Sequence, residues 1–267
     1  MLSRTALSLV LAGAALVAAC APRAEGGAST ADAVPAKRAL WQEPSLFERV
    51  AVIGASASAG FGLEVRLGGV VEAALGERVV EVLDAGDSFF FTSPVSRGQA
   101  AVEQALAFEP TLVLALDFPF WFAYGDRPDG ARGASLERGL AQLDRLKCPM
   151  IVGGIPDMAD AVGIMLTREQ VPSEEAQLEL DAKVRAWAEE RDTVAFFDLR
   201  RGHAQTVDGE ATALGVPWPP DDEDALQGDE LHPTDAGLVG LLLNALDQAG
   251  LAGAVQGDAA AVLERLR

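Results

Sequence analysis

The chain has 267 residues, which is enough for one large or two small domains with a well-buried core. Its 40 acidic and 21 basic residues give a formal net charge of −19 at pH 7. This surplus of negative charge repels phosphate backbones and anionic headgroups, so nucleic acid is excluded as an expected partner. A hydrophobic fraction of 49% and a charged fraction of 23% are typical of a folded globular protein.

Residues 1–20 have the pattern of a secretory signal. Arg4 supplies a positive charge, residues 6–19 carry none, and the run ends in small residues before Cys20. This ending resembles the lipobox of bacterial lipoproteins, in which the cysteine is diacylated and becomes the mature N-terminus. A transmembrane anchor and an ordinary signal peptide with a coincidental cysteine remain as alternatives, since about 18 apolar residues can just span a bilayer. The lipobox-like ending favours lipid attachment at Cys20 and a protein tethered in the cell envelope, facing the periplasm or in the outer membrane.

Residues 21–45 are rich in Ala, Gly, Ser and Pro and predict a flexible linker before a domain over residues 46–267. Trp41, Leu46 and Phe47 are candidates for packing on that domain, so the boundary between the linker and the domain is not sharp. With Cys20 lipidated, Cys148 has no intramolecular partner, so we expect no disulfide and no thiolate metal site. Cys148 is therefore predicted to act as a small buried hydrophobe.

From residue 49 onward, short apolar runs alternate with helical stretches. Strands are predicted at residues 49–53, 78–83, 112–116, 150–155 and 194–199, and helices at residues 65–75, 99–108, 136–146, 174–191 and 233–249. This alternation predicts an α/β fold, with a five-stranded parallel sheet between two layers of helices. In such folds the active site lies beyond the carboxyl ends of the strands, so the residues after each strand are the candidates.

Ser56 follows the first predicted strand, within Gly54-Ala55-Ser56-Ala57-Ser58-Ala59-Gly60. Small neighbours let the backbone turn sharply and expose a serine hydroxyl near free N–H groups that favour developing negative charge. A plain glycine-rich turn is the alternative. A nucleotide-binding loop is disfavoured because both the GxGxxG spacing and a GK[ST] ending are missing.

Asp229 and His232 form a second candidate group, just before the last predicted helix. An aspartate three residues before a histidine can accept the imidazole Nδ1–H, which leaves Nε2 free as a base. Pro233 suits the first turn of the helix that follows. The chain has two histidines, and the other, His203, follows the fifth strand without an aspartate at this spacing.

The order GxSxxxG after the first strand and DxxHP before the last helix resembles the SGNH/GDSL hydrolase superfamily over residues 48–250. The resemblance implies a flavodoxin-like three-layer α/β/α fold and a Ser56–His232–Asp229 triad. Members cleave or transfer acyl groups through an acyl-enzyme, without metal or cofactor.

The chain departs from the family pattern around the oxyanion. Ala55 stands where members carry Asp. The backbone donor after strand two falls on Phe89 or Gly86, and the Asn donor after strand three falls on Asp117 or Phe120. An ionised carboxylate only accepts hydrogen bonds, and losing one oxyanion donor typically costs about 10²–10³ in rate.

Residues 118–124 hold five aromatic side chains in a chain that is only 6% aromatic. They fit equally an apolar wall of a substrate pocket or a filled core.

These observations predict an extracytoplasmic serine esterase that acts on a small-molecule or glycan ester. A catalytically weak or inactive module that binds an envelope ligand, and an acyltransferase acting on envelope polysaccharide, are the alternatives.

Overall fold

The structure is a computed structural model that describes residues 40–267. The predicted signal at residues 1–20, its Cys20 and most of the predicted linker lie outside the described residues. Within residues 40–267, none of the helices combines the length and the apolar character needed to cross a membrane.

A parallel sheet forms the centre of the fold. Its strands are β1 (Arg49–Gly54), β2 (Glu81–Gly86), β3 (Leu112–Ala115), β4 (Met150–Gly153) and β5 (Val194–Phe197). They lie in the order β2-β1-β3-β4-β5, and each neighbouring pair is parallel. The order reverses between β1 and β3, so the loops after these two strands diverge and leave a crevice at the carboxyl edge.

Helices cover both faces of the sheet. They are α1 (Leu67–Leu75), α2 (Pro94–Phe108), α3 (Phe120–Ala123), α4 (Asp129–Leu143), α5 (Glu174–Glu189), α6 (Leu199–Val207), α7 (Asp235–Gln248) and α8 (Ala259–Leu266). Side chains alternate between the faces: Ala51 and Ile53 pack in the core with α2, α4 and α5, whereas Val50 and Val52 pack with α1, α7 and α8. The predicted three-layer α/β/α fold with a five-stranded parallel sheet is confirmed.

Strand β2 begins three residues later than the sequence predicted. Gly76–Arg78 form a 3-10 turn, and Val80 is exposed. Pairing starts only where Arg49 lies opposite Glu81, and their side chains form an ion pair with Nη1 and Oε2 2.7 Å apart. Asp84 and Gly86, predicted to follow the strand, therefore belong to its end.

The region after β5 is more structured than predicted. Helix α6 and a short antiparallel hairpin of β6 (Thr212–Ala213) and β7 (Val216–Pro217) lie between β5 and α7. Helix α6 has no fully buried residue, and the sequence did not predict a helix over these residues.

Packing on the domain starts at Trp41, inside the predicted linker. Trp41, Leu46 and Phe47 are buried in the core that contains α1, α7 and α8. The indole Nε1–H of Trp41 also donates to the carbonyl of Asp192 at 3.3 Å. Cys148 is a free, partly buried thiol beside the opposite core, and burial raises its pKa to about 11.

Candidate active site

The loop that carries Ser56 is held by the carboxylate of Asp117. The backbone N–H groups of Ala55 and Ala57 donate to Asp117 Oδ1 and Oδ2 at 2.9 and 3.0 Å. Ser58 donates twice, through its N–H to Oδ2 at 3.2 Å and through its hydroxyl to Oδ1 at 2.6 Å. Gly54 permits this approach, because a Cβ there would lie 2.0 Å from Asp117 Oδ1.

Asp117 is buried, and its carboxyl group is held by hydrogen bonds rather than by a cation among these contacts. Burial raises the pKa of Asp117, and the bonds from Ser58, Ala55 and Ala57 offset part of that rise. Its oxygens are turned to the loop as acceptors. Asp117 therefore does not act in this arrangement as the oxyanion donor considered from the sequence; it is a brace for the Ser56 loop.

His232 is oriented by Asp229. The imidazole Nδ1 lies 2.7 Å from Asp229 Oδ2, and the other oxygen accepts the backbone N–H groups of Leu231 and His232 at 3.0 and 2.9 Å. Burial raises the pKa of Asp229, but these hydrogen bonds together outweigh it and hold the pKa below its ordinary value. An ionised Asp229 fixes the Nδ1–H tautomer and directs Nε2 away from itself.

Four further contacts fix the segment around His232. The ring of Phe61 stacks on the imidazole, with centroids 4.3 Å apart and an interplanar angle of 27°. The Gln227 side-chain amide donates to the carbonyls of Phe61 and Pro233 at 2.7 and 2.8 Å. Thr234 Oγ1 accepts the Gly237 N–H at 3.0 Å and so caps α7 two residues after the histidine. His232 as a whole is only 3% exposed.

The structure brings Ser56, Asp117 and His232 to the wall of one cavity, and Asp229 joins them through His232. Within residues 40–267, the Ser56 hydroxyl makes no hydrogen bond to the imidazole. Catalytic hydrogen bonds are often long before substrate binds, so the lack of this bond does not exclude a reaction that uses both side chains. The relation that the structure shows is that Ser56 and His232 line the same cavity.

The backbone oxyanion candidates are bonded elsewhere. Gly86 N–H donates to Asp84 Oδ1 at 3.2 Å, and Phe89 N–H donates to Asp87 Oδ1 at 2.8 Å. By contrast, the N–H of Ser56 itself has no acceptor among the described residues. Among these three backbone N–H groups, that of Ser56 is the one left without an acceptor in the described part of the chain.

The aromatic segment belongs mainly to the core. Phe118, Phe122 and Tyr124 are fully buried, and Phe120 stacks on Tyr124 with ring centroids 4.2 Å apart. Of the five aromatic residues at 118–124, Phe120 lines the cavity. Most of this aromatic segment therefore fills the core. Among its five aromatic residues, Phe120 is the one that forms part of a pocket wall.

Sequence reasoning did not identify His203 as part of the site. It lies on α6 and lines the same cavity as Ser56 and His232. Burial lowers its pKa below the ordinary value, although Asp157 and Asp160 raise it in part. The signal in the sequence that could have identified His203 was its position shortly after the fifth predicted strand. Within the part of the chain that the structure describes, no cluster of three His, Cys, Asp or Glu residues could hold a metal ion.

Solved esterases have a similar fold. A catalytic mutant of an acetylxylan esterase from Geobacillus stearothermophilus is 18% identical, with 79% of this chain and 97% of that chain covered and a TM-score of 0.51. A GDSL-like lipase from Bacteroides thetaiotaomicron is 15% identical, with 84% and 97% covered and a TM-score of 0.48.

A gut microbial diltiazem-metabolizing enzyme is 11% identical, with a TM-score of 0.50 and 77% of this chain covered. This chain spans about half of that enzyme, since 47% of the latter is covered. The sequence matches no protein-family model and no curated protein. The chain therefore shares the three-layer α/β/α fold of the acetylxylan esterase, the fold that its resemblance to SGNH hydrolases implies.

Proposed function

We propose that this protein is a serine esterase in which Ser56 is the nucleophile, His232 the general base and Asp229 the orienting carboxylate. The observation that carries the proposal is the 2.7 Å contact between His232 Nδ1 and Asp229 Oδ2, on a buried imidazole that shares a cavity with Ser56. A nucleophile, a base and an orienting group in this relation can perform acyl transfer.

In the first half of the reaction, Ser56 Oγ attacks the ester carbonyl carbon while its proton passes to His232 Nε2. Negative charge on the carbonyl oxygen is stabilised by the Ser56 N–H. The bond between the carbonyl carbon and the alcohol oxygen breaks, and the alcohol leaves with the proton from His232.

In the second half, water attacks the acyl-enzyme and gives a proton to His232. The bond to Ser56 Oγ breaks and Ser56 recovers that proton, so the products are one carboxylic acid and one alcohol. No redox step or external proton source is required.

The lipobox-like sequence supports a location of this activity in the cell envelope. In this proposal residues 1–20 direct export, Cys20 carries the acyl chains, and residues 21–39 separate the domain from the membrane. A small-molecule or glycan ester would reach the site from the surrounding compartment.

A second candidate is a weakly active or inactive module that binds an envelope ligand. The observation that favours it is the occupation of the Gly86 and Phe89 N–H groups by aspartate side chains. With one remaining backbone donor at Ser56, oxyanion stabilisation is weaker than in a site with several donors.

Hydrolysis of short-chain nitrophenyl esters by the full chain distinguishes these functions. Ser56→Ala and His232→Ala are each expected to lower kcat by several orders of magnitude, because triad members act as a unit. Ser45→Ala, at an exposed position, is the matched serine control and is expected to retain activity. A wild type no faster than Ser56→Ala, in folded protein and from acetyl to octanoyl esters, would favour the binding module. Product that appears only with an added alcohol acceptor would indicate a transferase.

A further inference from the structure

The cavity beside Ser56 and His232 continues between α6 and α7. Its walls come from β5, α6, the segment around the β6–β7 hairpin, and α7, a region that no catalytic residue occupies. Most of the large side chains lining it are apolar, and Met158 joins them from the loop after β4: Met158, Phe197, Leu199, Trp218, Leu226 and Leu241. Trp218 is fixed there, because its indole N–H donates to the Ala236 carbonyl at 2.8 Å.

The few polar groups on these walls do not offer a formal charge to a ligand. Asn244 is among them, and its side-chain amide is uncharged. Thr206 Oγ1 donates to the Gly202 carbonyl at 3.0 Å, one turn earlier in α6. Asp117 directs its oxygens to the Ser56 loop. Burial favours the neutral imidazole of His203 by lowering its pKa. A mainly apolar wall with uncharged polar groups suits a hydrocarbon chain and disfavours a sugar hydroxyl cluster.

We propose that this cavity holds the acyl chain of the substrate, so that the enzyme acts on esters of aliphatic acids several carbons long rather than on acetyl esters. The inference rests on the proposed esterase function and names its substrate class. The acyl chain is the part assigned to the cavity because an aliphatic acid carries no polar atom beyond its carboxyl group, whereas glycan and glycerol alcohols carry further hydroxyls. Each further methylene buried in the cavity is expected to raise kcat/KM by about fourfold.

Gly202 provides a way to fill the cavity. It lies on α6 among the lining residues, and the nearest atom to a Cβ there would be Phe197 Cζ at 4.0 Å. By contrast, a Cβ at Gly240 would lie 2.9 Å from Trp218 Cδ1, and one at Gly237 would lie 1.9 Å from the Ala225 carbonyl oxygen. A side chain at residue 202 thus has room to extend without displacing backbone.

The test compares kcat/KM for nitrophenyl acetate, butanoate, hexanoate and octanoate with the purified full chain. We expect the wild type to prefer octanoate over acetate by at least about tenfold. Gly202→Leu is expected to lower kcat/KM for octanoate about tenfold or more and to leave acetate within about twofold. Gly130→Leu places the same side chain on α4, where nothing lies within 4 Å of the added Cβ, and should keep the wild-type profile.

Leu241→Trp fills the cavity from the α7 side and is the second variant, should Gly202→Leu fold poorly. Equal rates for acetate and octanoate in the wild type, or equal losses for both esters in a folded filling variant, would overturn the proposal. Octyl acetate separates the two ends of the ester: preference for it over nitrophenyl octanoate, lost in Gly202→Leu, would assign the cavity to the alcohol and contradict the acyl assignment.

A binding measurement separates failure of this inference from failure of the esterase proposal. Sodium octanoate is expected to raise the Tm of the wild type and of Ser56→Ala, but not that of Gly202→Leu. If no ester is cleaved and octanoate still binds in this pattern, the catalytic proposal fails and the aliphatic site stands. If octanoate raises the Tm of none of these proteins, or of Gly202→Leu as much as of the wild type, the aliphatic site is wrong.

Discussion

The carboxylate of Asp117 accepts a hydrogen bond of 2.6 Å from the hydroxyl of Ser58, and both side chains are buried. Asp117 follows β3 and Ser58 follows β1, so their contact joins two loops where the strand order reverses. The SGNH pattern has an aspartate at position 55, where this chain has Ala55. Asp117 instead brings a carboxylate to the Ser56 loop from the adjacent strand, 62 residues from Ala55 in sequence.

Removal of Asp117 is expected to disturb both stability and the placement of Ser56. Asp117→Ala leaves the donors of Ala55, Ala57 and Ser58 without their acceptor, whereas Ser58→Ala removes one donor from a carboxylate that keeps three. We expect Ser58→Ala to lower the free energy of unfolding by about 1–3 kcal/mol and Asp117→Ala to lower it more, as measured by urea unfolding.

Kinetic measurements distinguish a residue that positions Ser56 from one that only stabilises the fold. If Asp117 positions the nucleophile, kcat in Asp117→Asn should fall while KM changes little, because the apolar cavity remains. Asp144→Asn, which alters an ion pair with Arg191 at the surface, is the control. An unchanged kcat in folded Asp117→Asn would contradict the positioning role.

Asp229→Asn is expected to lower kcat by about 10²–10⁴ without a large change in KM, because the amide no longer favours the tautomer with hydrogen on Nδ1. Steady-state kinetics at pH 7 measures this. A loss smaller than about tenfold would show that His232 does not depend on Asp229 for orientation.

Asp229→Asn is also expected to change how the stability of the protein depends on pH. The folded-state pKa of Asp229 lies below its unfolded value of about 3.9, so its contribution to stability is present above about pH 3.9 and is lost as pH falls through the folded pKa. The stability gap between wild type and Asp229→Asn should therefore narrow as pH falls below about 4, in thermal unfolding from pH 7 to pH 3. A gap independent of pH would contradict this.

His203 is expected to reduce stability in mild acid. Its folded-state pKa lies below the unfolded value of about 6.5, so the unfolded chain binds the proton more readily. Stability is full above about pH 6.5 and falls as pH decreases through the folded pKa. His203→Gln should flatten this part of the Tm profile. An identical profile in the variant would mean that His203 titrates alike in both states.

Tyr124→Phe tests the support of the loop after β4. The Tyr124 hydroxyl donates to the Pro156 carbonyl at 2.8 Å and accepts the Met158 N–H at 3.1 Å, in a buried setting. Phenylalanine keeps the ring and removes both bonds, so we expect a loss of about 1–3 kcal/mol in the free energy of unfolding. No change in urea unfolding would indicate that water replaces the hydroxyl.

Cys20→Ala tests the proposed anchor in cells. If Cys20 is lipidated, the wild type should be recovered with membranes and the variant should not. Cys148→Ala is the matched cysteine control and should fractionate like the wild type. Equal partitioning of the wild type and Cys20→Ala would contradict lipid attachment at that residue.

The sequence by itself determined the layers of the fold and one part of the site, the contact between Asp229 and His232. Continuous apolar runs such as residues 112–116 predict strands covered on both faces, and the alternation with helices then favours a parallel sheet. The Asp229–His232 contact could also be anticipated, because a spacing of three residues brings these groups together within one turn of chain. Both signals depend on neighbours in sequence.

The tertiary structure alone decided which distant groups meet. That Asp117 braces the Ser56 loop depends on β1 lying beside β3, and no local pattern encodes that adjacency. The cavity between α6 and α7 depends on where these two helices lie relative to each other, which no local pattern encodes. The physical reason is range: turns, caps and periodicity arise from residues a few positions apart, whereas the strand order and the walls of the cavity follow from the packing of the whole core.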